Sequence, residues 1–491
     1  LPKVTLPWGT WQANTLDSQG QFYTFENIRF GASPSRFQAS RYPDKISDPS
    51  TLQDNTYGPT CYQVDTHPKC KAPKPTISAA EDCLFLDIYV PKAVFERGQK
   101  GVANAPVVVW FYGGAFQFGA KSNFGPGLPF YTGEGLIDAT KNFGKDVIFV
   151  AGNYRLGAFG WLAGPTIEEI ATPNAGLTDQ RLVLQWVQDY VSLFGGDKGN
   201  VAAWGESAGG SSILHHLIQD DGKRDPLFKR ALMQSPAFQW QWDRSPGGTL
   251  DQIYQNFSKS AGCSTNFNDL SCLLKADVSD LAKANQELFD SARLVGLFPV
   301  GPALDNTLIK HLPAIALAKG LFWKNLDSLI VSHTTNEAKS FTPDITTPKQ
   351  FDDFLAEFIR EDDLANVRAA IQAQYPVSGG PWGSDQKQRV AAVIRDAIFV
   401  CNTRQLFDAY SGSVSTYMME YGFPTQGSAV HASDLVPTFW NRAFDLSSFF
   451  VKFLCQDKDL AWIASSMMKQ LAPFYQRFLA GFSINGNPNL F

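Results

Sequence analysis

The chain of 491 residues has no surplus of positive charge: 42 Lys and Arg face 47 Asp and Glu, for a formal net charge of −5. No basic cluster relieves that balance, which argues against a nucleic-acid binder. No apolar run approaches the roughly 20 residues of a transmembrane helix. Internal repeats, low-complexity tracts and flexible linkers are missing too. Length alone suggests about three domains, but a single cooperative body over residues 1–491 is the expectation for a large α/β chain. The chain starts at Leu1 with no initiating Met and no signal-like segment. That fits a mature, secreted protein whose signal peptide has been removed, although a trimmed chain looks the same. Histidine is scarce, with six in all, so a search for a general base has few candidates.

Seven cysteines are present. Cys263 and Cys272 enclose a short polar loop with no histidine or companion cysteine at zinc spacing. Cys61 and Cys83 flank a Pro/Lys-rich stretch that contains Cys70. These two pairs read as disulfides, leaving Cys70, Cys401 and Cys455. The odd count leaves at least one thiol unpaired within the chain. Cys401 lies in an apolar, helix-like run, which predicts burial. Asn256-Phe257-Ser258 is a glycosylation sequon. Disulfides and a sequon together point outside the cytosol, toward an extracellular or secretory-pathway location.

One stretch organises the rest. Val201 to Trp204 is short, apolar and β-prone, Gly205-Glu206-Ser207-Ala208-Gly209 fits G-x-S-x-G, and Ser211 to Ile218 continues as a helix. A sharp strand-to-helix turn leaves no room for flanking side chains, so glycines bracket the serine and its Oγ is pushed out above a sheet. The following helix aims its N-terminal amides and positive dipole end at the same spot. Around this stretch the chain alternates buried strands with helices. Residues 1 to 60 read as an antiparallel β lead-in, and Glu81 to Pro91 as a strand closed by proline. Strands follow at Pro106 to Tyr112, Val147 to Ala151, Lys229 to Gln234, Leu326 to Val331 and Ser415 to Tyr421. Leu182, Val183, Trp186, Val187, Tyr190 and Val191 recur at helical spacing, predicting a helix over 179–194 that stops at Gly195-Gly196. A long helix is expected over about 459–481. The fold class is therefore α/β: a large, mostly parallel sheet with helices on both faces. Helical insertions at about 250–320 and 349–411 are expected over its C-terminal edge, where open α/β sheets bind ligands.

A serine hydroxyl needs a base to take its proton, and the base needs an orienting acid. In this arrangement the order along the chain is Ser, then Asp or Glu, then His, each on a loop after a strand. His67 precedes Ser207, and His311 follows no buried strand. His215 and His216 sit on the helix behind the serine, where packing is their expected role. His431, ten residues past the last strand, stands where the base belongs. Glu337 follows the strand ending at Val331 and stands where the acid belongs, with His333 a bystander in the same loop. Asp434 reads as a residue that shapes the His431 loop. Backbone N–H groups for an oxyanion come from a glycine-rich turn after an early strand, Tyr112-Gly113-Gly114-Ala115-Phe116, with Gly114, Ala115 and Ala208 as donors. This chemistry calls for no cofactor and no metal.

These residues resemble the type-B carboxylesterase/lipase family, which includes cholinesterases and fungal lipases and has the α/β-hydrolase fold. Glu81-Asp-Cys-Leu-Phe-Leu86 is similar to its E-D-C-L-Y-L signature, Trp110 to Phe116 to its oxyanion stretch, and Gly205 to Gly210 matches its G-E-S-A-G-G elbow. Asn174 to Arg181, Phe194 to Asp197, Gln234-Ser235-Pro236 and Phe298-Pro299-Val300 also sit in family-like places, so the likeness covers nearly the whole chain. It implies the triad Ser207–Glu337–His431, the disulfides Cys61–Cys83 and Cys263–Cys272, and Arg36–Glu81 and Arg155–Asp179 as buried ion pairs of the scaffold. It makes Glu206 a carboxylate supporting the nucleophile rather than the triad acid. It also implies substrate contacts at Phe116, Trp240, Trp242 and Phe298, for each of which plain packing is an equal reading.

Some positions depart from the family's pattern. Ala115 stands where many members have Gly, and its methyl narrows the site for bulky alcohols. Tyr112 replaces a frequent His. The segment from Cys61 to Cys83 is short, with Tyr62 its one aromatic apart from His67. It has no tryptophan to hold a quaternary ammonium, which argues against choline specificity. Its Lys/Pro composition, in place of a longer amphipathic lid, argues against interfacial activation. The expected activity is hydrolysis of a small-molecule or lipid-like carboxylic ester through an acyl-enzyme on Ser207. A triacylglycerol or sterol-ester lipase, and an acyltransferase or lactonising enzyme using the same acyl-enzyme, stay open as alternatives. A non-catalytic adhesion domain is disfavoured by the complete triad. His431 must be neutral to act, so activity is expected to fall below a pKa near 6–7.

Overall fold

The computed structural model describes residues 1–66, 78–122, 130–238, 242–263, 267, 269–292, 298–359, 364–423, 429–441 and 458–490. Cys70, Cys455, His67 and Trp240 lie outside the described residues. Thirteen strands are formed by the described residues: β1 (Lys3–Leu6), β2 (Gly9–Gln12), β3 (Thr15–Leu16), β4 (Phe22–Arg29), β5 (Thr60–Cys61), β6 (Ala79–Ala80), β7 (Phe85–Pro91), β8 (Ala105–Phe111), β9 (Ile148–Gly152), β10 (Gly196–Glu206), β11 (Arg230–Gln234), β12 (Ser328–Thr334) and β13 (Ser415–Tyr421). Nine of them form one sheet in the order β13-β12-β11-β10-β8-β9-β7-β4-β3. From β13 through β9 every neighbour is parallel. β7, β4 and β3 then close the other edge antiparallel. The sheet is thus mixed, with a parallel majority, and β1 and β2 form a separate antiparallel hairpin.

The parallel strands are apolar throughout because both faces are covered. Every residue of β8 is buried, and its alternate side chains meet different helices. Trp110 packs on Phe439 (ring centroids 4.7 Å) and Tyr131 (5.1 Å) on one face. Phe111 meets His216, on the helix Ala208–Ile218, on the other (5.9 Å). The helix expected over 179–194 runs from Ala175 to Tyr190, with Val183, Trp186 and Val187 turned inward. A tighter 3-10 turn over Val191–Phe194 follows, closed by Gly195 at φ 90°. That turn, still apolar and still helical in period, accounts for the difference at the C-terminal end. The strand expected from Glu81 begins only at Phe85, because Cys83 is tied to Cys61 and the residues before it, Glu81 and Asp82, pair with Arg36 and Arg29.

Helices lie in both of the insertion stretches. Thr249–Ser260, Ser271–Lys275, Val278–Ala292 and Pro313–Ala318 follow β11, and Pro348–Phe358, Ala365–Gln374, Gln386–Ile394 and Cys401–Tyr410 follow β12. Residues from both build a second apolar cluster, with Trp242, Leu250, Phe351, Phe354, Leu355 and Ile394, that also takes in Ala338 just past β12. This places the insertions over the C-terminal ends of the strands. The expected C-terminal helix spans Lys458–Asn485. No described helix is long and apolar enough to cross a membrane.

Both expected disulfides are formed, Cys61–Cys83 (S–S 2.02 Å) and Cys263–Cys272. Arg155 and Asp179 make a fully buried pair (2.8 Å), whereas Arg36 and Glu81 (2.7 Å) are only partly buried. The Arg36 guanidinium also donates to the carbonyls of Leu273 and Ala276, next to Cys272. Cys401 departs from its expected burial and is exposed. A π-helical stretch over Arg395–Val400 precedes it. The extra residue per turn rotates the following helix face, so the apolar run no longer points inward at 401.

Candidate active site

β10 ends at Glu206, and the helix begins at Ala208, which leaves Ser207 alone to make the turn. Its backbone sits at φ 54°, ψ −119°, a conformation an L-residue holds only when the surroundings enforce it. Ser207 N–H donates to the Gln234 carbonyl (2.9 Å), and the Ser207 carbonyl accepts from Ser211 N–H (2.9 Å). A Cβ on Gly205 would lie 2.5 Å from the Gly209 carbonyl oxygen, and one on Gly209 would lie 1.9 Å from that of Phe111. The bracketing glycines are therefore needed for close approach. Ser207 is 8 % exposed.

His431 reaches the same place from the loop after β13. Its Nδ1 lies 2.5 Å from Glu337 Oε2, and its Nε2 lies 3.2 Å from Oε1 of Glu206, the neighbour of Ser207. Nε2 makes no hydrogen bond among the described residues. Glu337 is fully buried. Its other oxygen, Oε1, accepts from Ser235 Oγ (2.6 Å) and from the Thr334 amide (2.6 Å). Phe341 and Phe399 pack against the imidazole with ring centroids at 5.1 and 4.7 Å. Glu337 and His431 thus meet although they are 94 positions apart (431 − 337 = 94), and Glu206, the residue before Ser207, lies beside the imidazole.

The electrostatics follow from burial and three carboxylates. Burial opposes charge on His431, but Glu206, Glu337 and Asp434 outweigh it and raise the group to about 9. Burial also raises Glu206 to about 8, against the pull of His431. Asp434 is raised to about 7, again by burial first and Glu337 next. Glu337 moves the other way: burial resists, but His431, Ser235 and the Thr334 amide together hold it below the ordinary carboxylate range. The expected midpoint of 6–7 took the imidazole without its carboxylate neighbours, which shift His431 upward. Asp434 shapes the loop: its Oδ2 accepts from Gln234 Nε2 (2.9 Å), and its carbonyl accepts from Thr438 Oγ1 (2.7 Å).

The turn after β8 lies against the serine, since a Cβ on Gly113 would be 3.0 Å from Ser207 Cβ. Gly114 (φ 108°), Ala115 (φ 54°) and Phe116 (φ 62°) are left-handed in succession. Ala208 is the first residue of the helix. Phe116 is buried against Trp161 (4.5 Å). Phe298 stacks on Phe289 and meets Phe341 (6.3 Å), so it is one ring removed from His431. Trp242 is buried within the second apolar cluster. His215 and His216 are fully buried on the helix, as expected of packing residues, and His311 pairs with Asp221 (3.0 Å). Sequence reasoning did not assign roles to Ser235, Phe341 or Phe399. Ser235 had a signal in Gln234-Ser235-Pro236, but Phe399 sits in the apolar run Ala397 to Val400 and Phe341 stands singly among Lys339, Ser340 and Thr342, and neither setting carries one.

The sequence profile of the Carboxylesterase family matches residues 1–490. A secreted lipase of Arthroderma benhamiae is 36% identical over 455 residues, covering 91% of this chain and 83% of the relative. The carboxylesterase patB of Penicillium expansum is 30% identical, covering 100% of this chain and 89% of the relative. Among solved structures, a thermophilic PNB esterase superposes with a TM-score of 0.77 at 25% identity, covering 99% of this chain and 92% of the other. EstA of Aspergillus niger has the same fold, with a TM-score of 0.80 at 24% identity and coverages of 100% and 90%. The chain belongs to the carboxylesterase family and is a carboxylic ester hydrolase of type B.

Proposed function

We propose that Ser207 is the nucleophile, His431 its base and later the acid for the leaving alcohol, and Glu337 the group that orients the imidazole. The observation that carries this reading is the contact of His431 with Glu337 (2.5 Å) beside the strained Glu206–Ser207 turn. Ser207 Oγ adds to the ester carbonyl as His431 Nε2 takes its proton. The amides of Gly114, Ala115 and Ala208 stabilise the oxyanion, and collapse expels the alcohol with a proton from His431. Water then repeats the sequence on the acyl-enzyme and releases the acid.

The substrate is a small-molecule or lipid-like ester. Phe341 and Phe399 flank His431, with Phe298 behind Phe341, and form an apolar wall suited to the hydrocarbon part of such an ester. Secretion is supported by two relatives named as secreted lipases, by the two disulfides, and by the exposed Asn256 of the sequon on the helix Thr249–Ser260. An N-glycan there is tested by a mass loss on treatment with peptide N-glycosidase.

The test of the main reading is hydrolysis of p-nitrophenyl esters from acetate to palmitate, with Ser207→Ala alongside. Activity abolished in the variant is the expected result, and a variant as active as the wild type rejects the assignment. A rate that jumps above the solubility limit of the substrate assigns a lipase. A smooth saturation curve assigns an esterase.

A further inference from the structure

The turn that carries Gly114 and Ala115 is closed by bonds of its own, from the Gln117 and Phe118 amides to the Gly114 carbonyl (2.9 and 3.1 Å), but these do not reach its first peptide or the Phe116 carbonyl. Three successive residues have positive φ, and two of them, Ala115 and Phe116, carry a Cβ, so the conformation also draws on support from outside. Two anchors come from one short segment that follows β9. At the start of the turn, Tyr154 Oη donates to the Tyr112 carbonyl (2.6 Å). At its end, Gly157 N–H donates to the Phe116 carbonyl (2.7 Å). Tyr154 is itself held by its partner: Tyr112 Oη donates to the Tyr154 carbonyl (3.0 Å) and accepts from the Tyr154 amide (3.2 Å). The two rings stack at 4.3 Å and 16°. Both phenols are fully buried, and burial keeps them protonated and able to donate.

The Tyr112 carbonyl shares a peptide plane with Gly113 N. Fixing that oxygen fixes the direction in which the chain enters the turn, and with it where the next two amides point. We infer that Tyr154 is a positioning residue of the oxyanion turn: its hydroxyl, bonded to the Tyr112 carbonyl, aims the Gly114 and Ala115 amides at the place where charge develops. The inference rests on the reading of Ser207 and this turn as the catalytic machinery. Donors misaimed by a fraction of an ångström lose much of their preference for the transition state over the ground state.

The test is Tyr154→Phe, which keeps the stacked ring and removes one hydrogen bond. Losing an oxyanion donor outright costs about 10²–10³ in kcat, so loosening two of them is expected to cost about tenfold or more. KM should stay within about twofold, and affinity for a trifluoromethyl ketone should fall by the same factor as kcat/KM. The ketone reports on the turn because Ser207 adds to its carbonyl and leaves an oxyanion in the same place. Tyr410→Phe is the control. It deletes another phenol-to-carbonyl bond of a buried tyrosine, Tyr410 Oη to Trp323 O (2.8 Å), beyond the far end of the helix that starts at Ala208, where Trp323 N–H bonds the Leu217 carbonyl. It is expected to lower Tm with kcat unchanged. Unchanged kcat and ketone affinity in Tyr154→Phe overturn the inference, as does an equal kcat loss in Tyr410→Phe. If Tyr154→Phe does not fold, 3-fluorotyrosine at position 154 keeps the ring and alters the donor strength. The inference then requires a change in kcat and ketone affinity at constant KM, and no change overturns it. A wild type without Ser207-dependent hydrolysis removes the underlying reading and the inference together. An active wild type with an indifferent Tyr154→Phe removes the inference alone.

Discussion

His431 has a carboxylate against each ring nitrogen, Glu337 at Nδ1 and Glu206 at Nε2. Burial disfavours its charge, but these neighbours prevail and carry it up to about 9. Only the neutral imidazole can accept the Ser207 proton. A raised pKa therefore means that activity is fully developed above it and is lost as pH falls, with an acid limb above the 6–7 of an unperturbed imidazole. Glu206→Gln removes one of the charges that hold the proton. The acid limb of kcat/KM is expected to move to lower pH by about one unit or more, and a limb that does not move contradicts this account of the cluster. Ser235→Ala deletes a charge-assisted bond to Glu337 (2.6 Å). Bonds to charged groups are worth about 1.5–3 kcal/mol, so kcat/KM should fall about tenfold or more, and a loss under twofold would remove Ser235 from the support of the acid. The Glu337–His431 pair was legible because chain order and strand ends select it from few histidines and carboxylates. The Glu206 contact was not, because sequence gives no rotamer for a carboxylate that shares a turn with the serine.

At the scale of elements, the site is a strand, a turn and a helix pressed against β8. Gly209 is the contact point: a Cβ there would meet the Phe111 carbonyl at 1.9 Å. Backbone cannot yield as a flexible side chain can. Gly209→Ala is therefore expected to cost about 3 kcal/mol or more in urea unfolding, and to cost activity in any protein that still folds. A variant of wild-type stability would mean that helix and strand are not pressed together here. The buried strands were legible as continuous apolar runs such as Pro106 to Tyr112, and the insertions as helical periodicity. Details that need geometry were not. The 3-10 turn over Val191–Phe194 keeps an apolar pattern a helix would share. The π-helical stretch over Arg395–Val400 changes the phase of the helix and brings Cys401 to the surface.

For the whole molecule, the main core and the second apolar cluster are coupled through the ends of β11 and β12, where Ala338 joins the second cluster and Phe238 N–H bonds the Ile398 carbonyl (3.2 Å). We propose that residues 1–491 unfold as one unit: a single calorimetric transition is expected, with calorimetric and van't Hoff enthalpies in agreement. Two separate transitions would show that the insertions melt alone. The disulfides close loops of 22 and 9 residues, so reduction is expected to destabilise the protein by about 3 kcal/mol for each, read as a lower Tm under reductant. The most direct measurement of the central claim is covalent trapping. The protein is treated with a fluorophosphonate, its intact mass is taken, and the modified peptide is sequenced. One adduct per chain on Ser207, absent from Ser207→Ala, with hydrolysis lost in step with labelling, is the predicted result. Labelling at another residue, or hydrolysis that survives full labelling of Ser207, would contradict it.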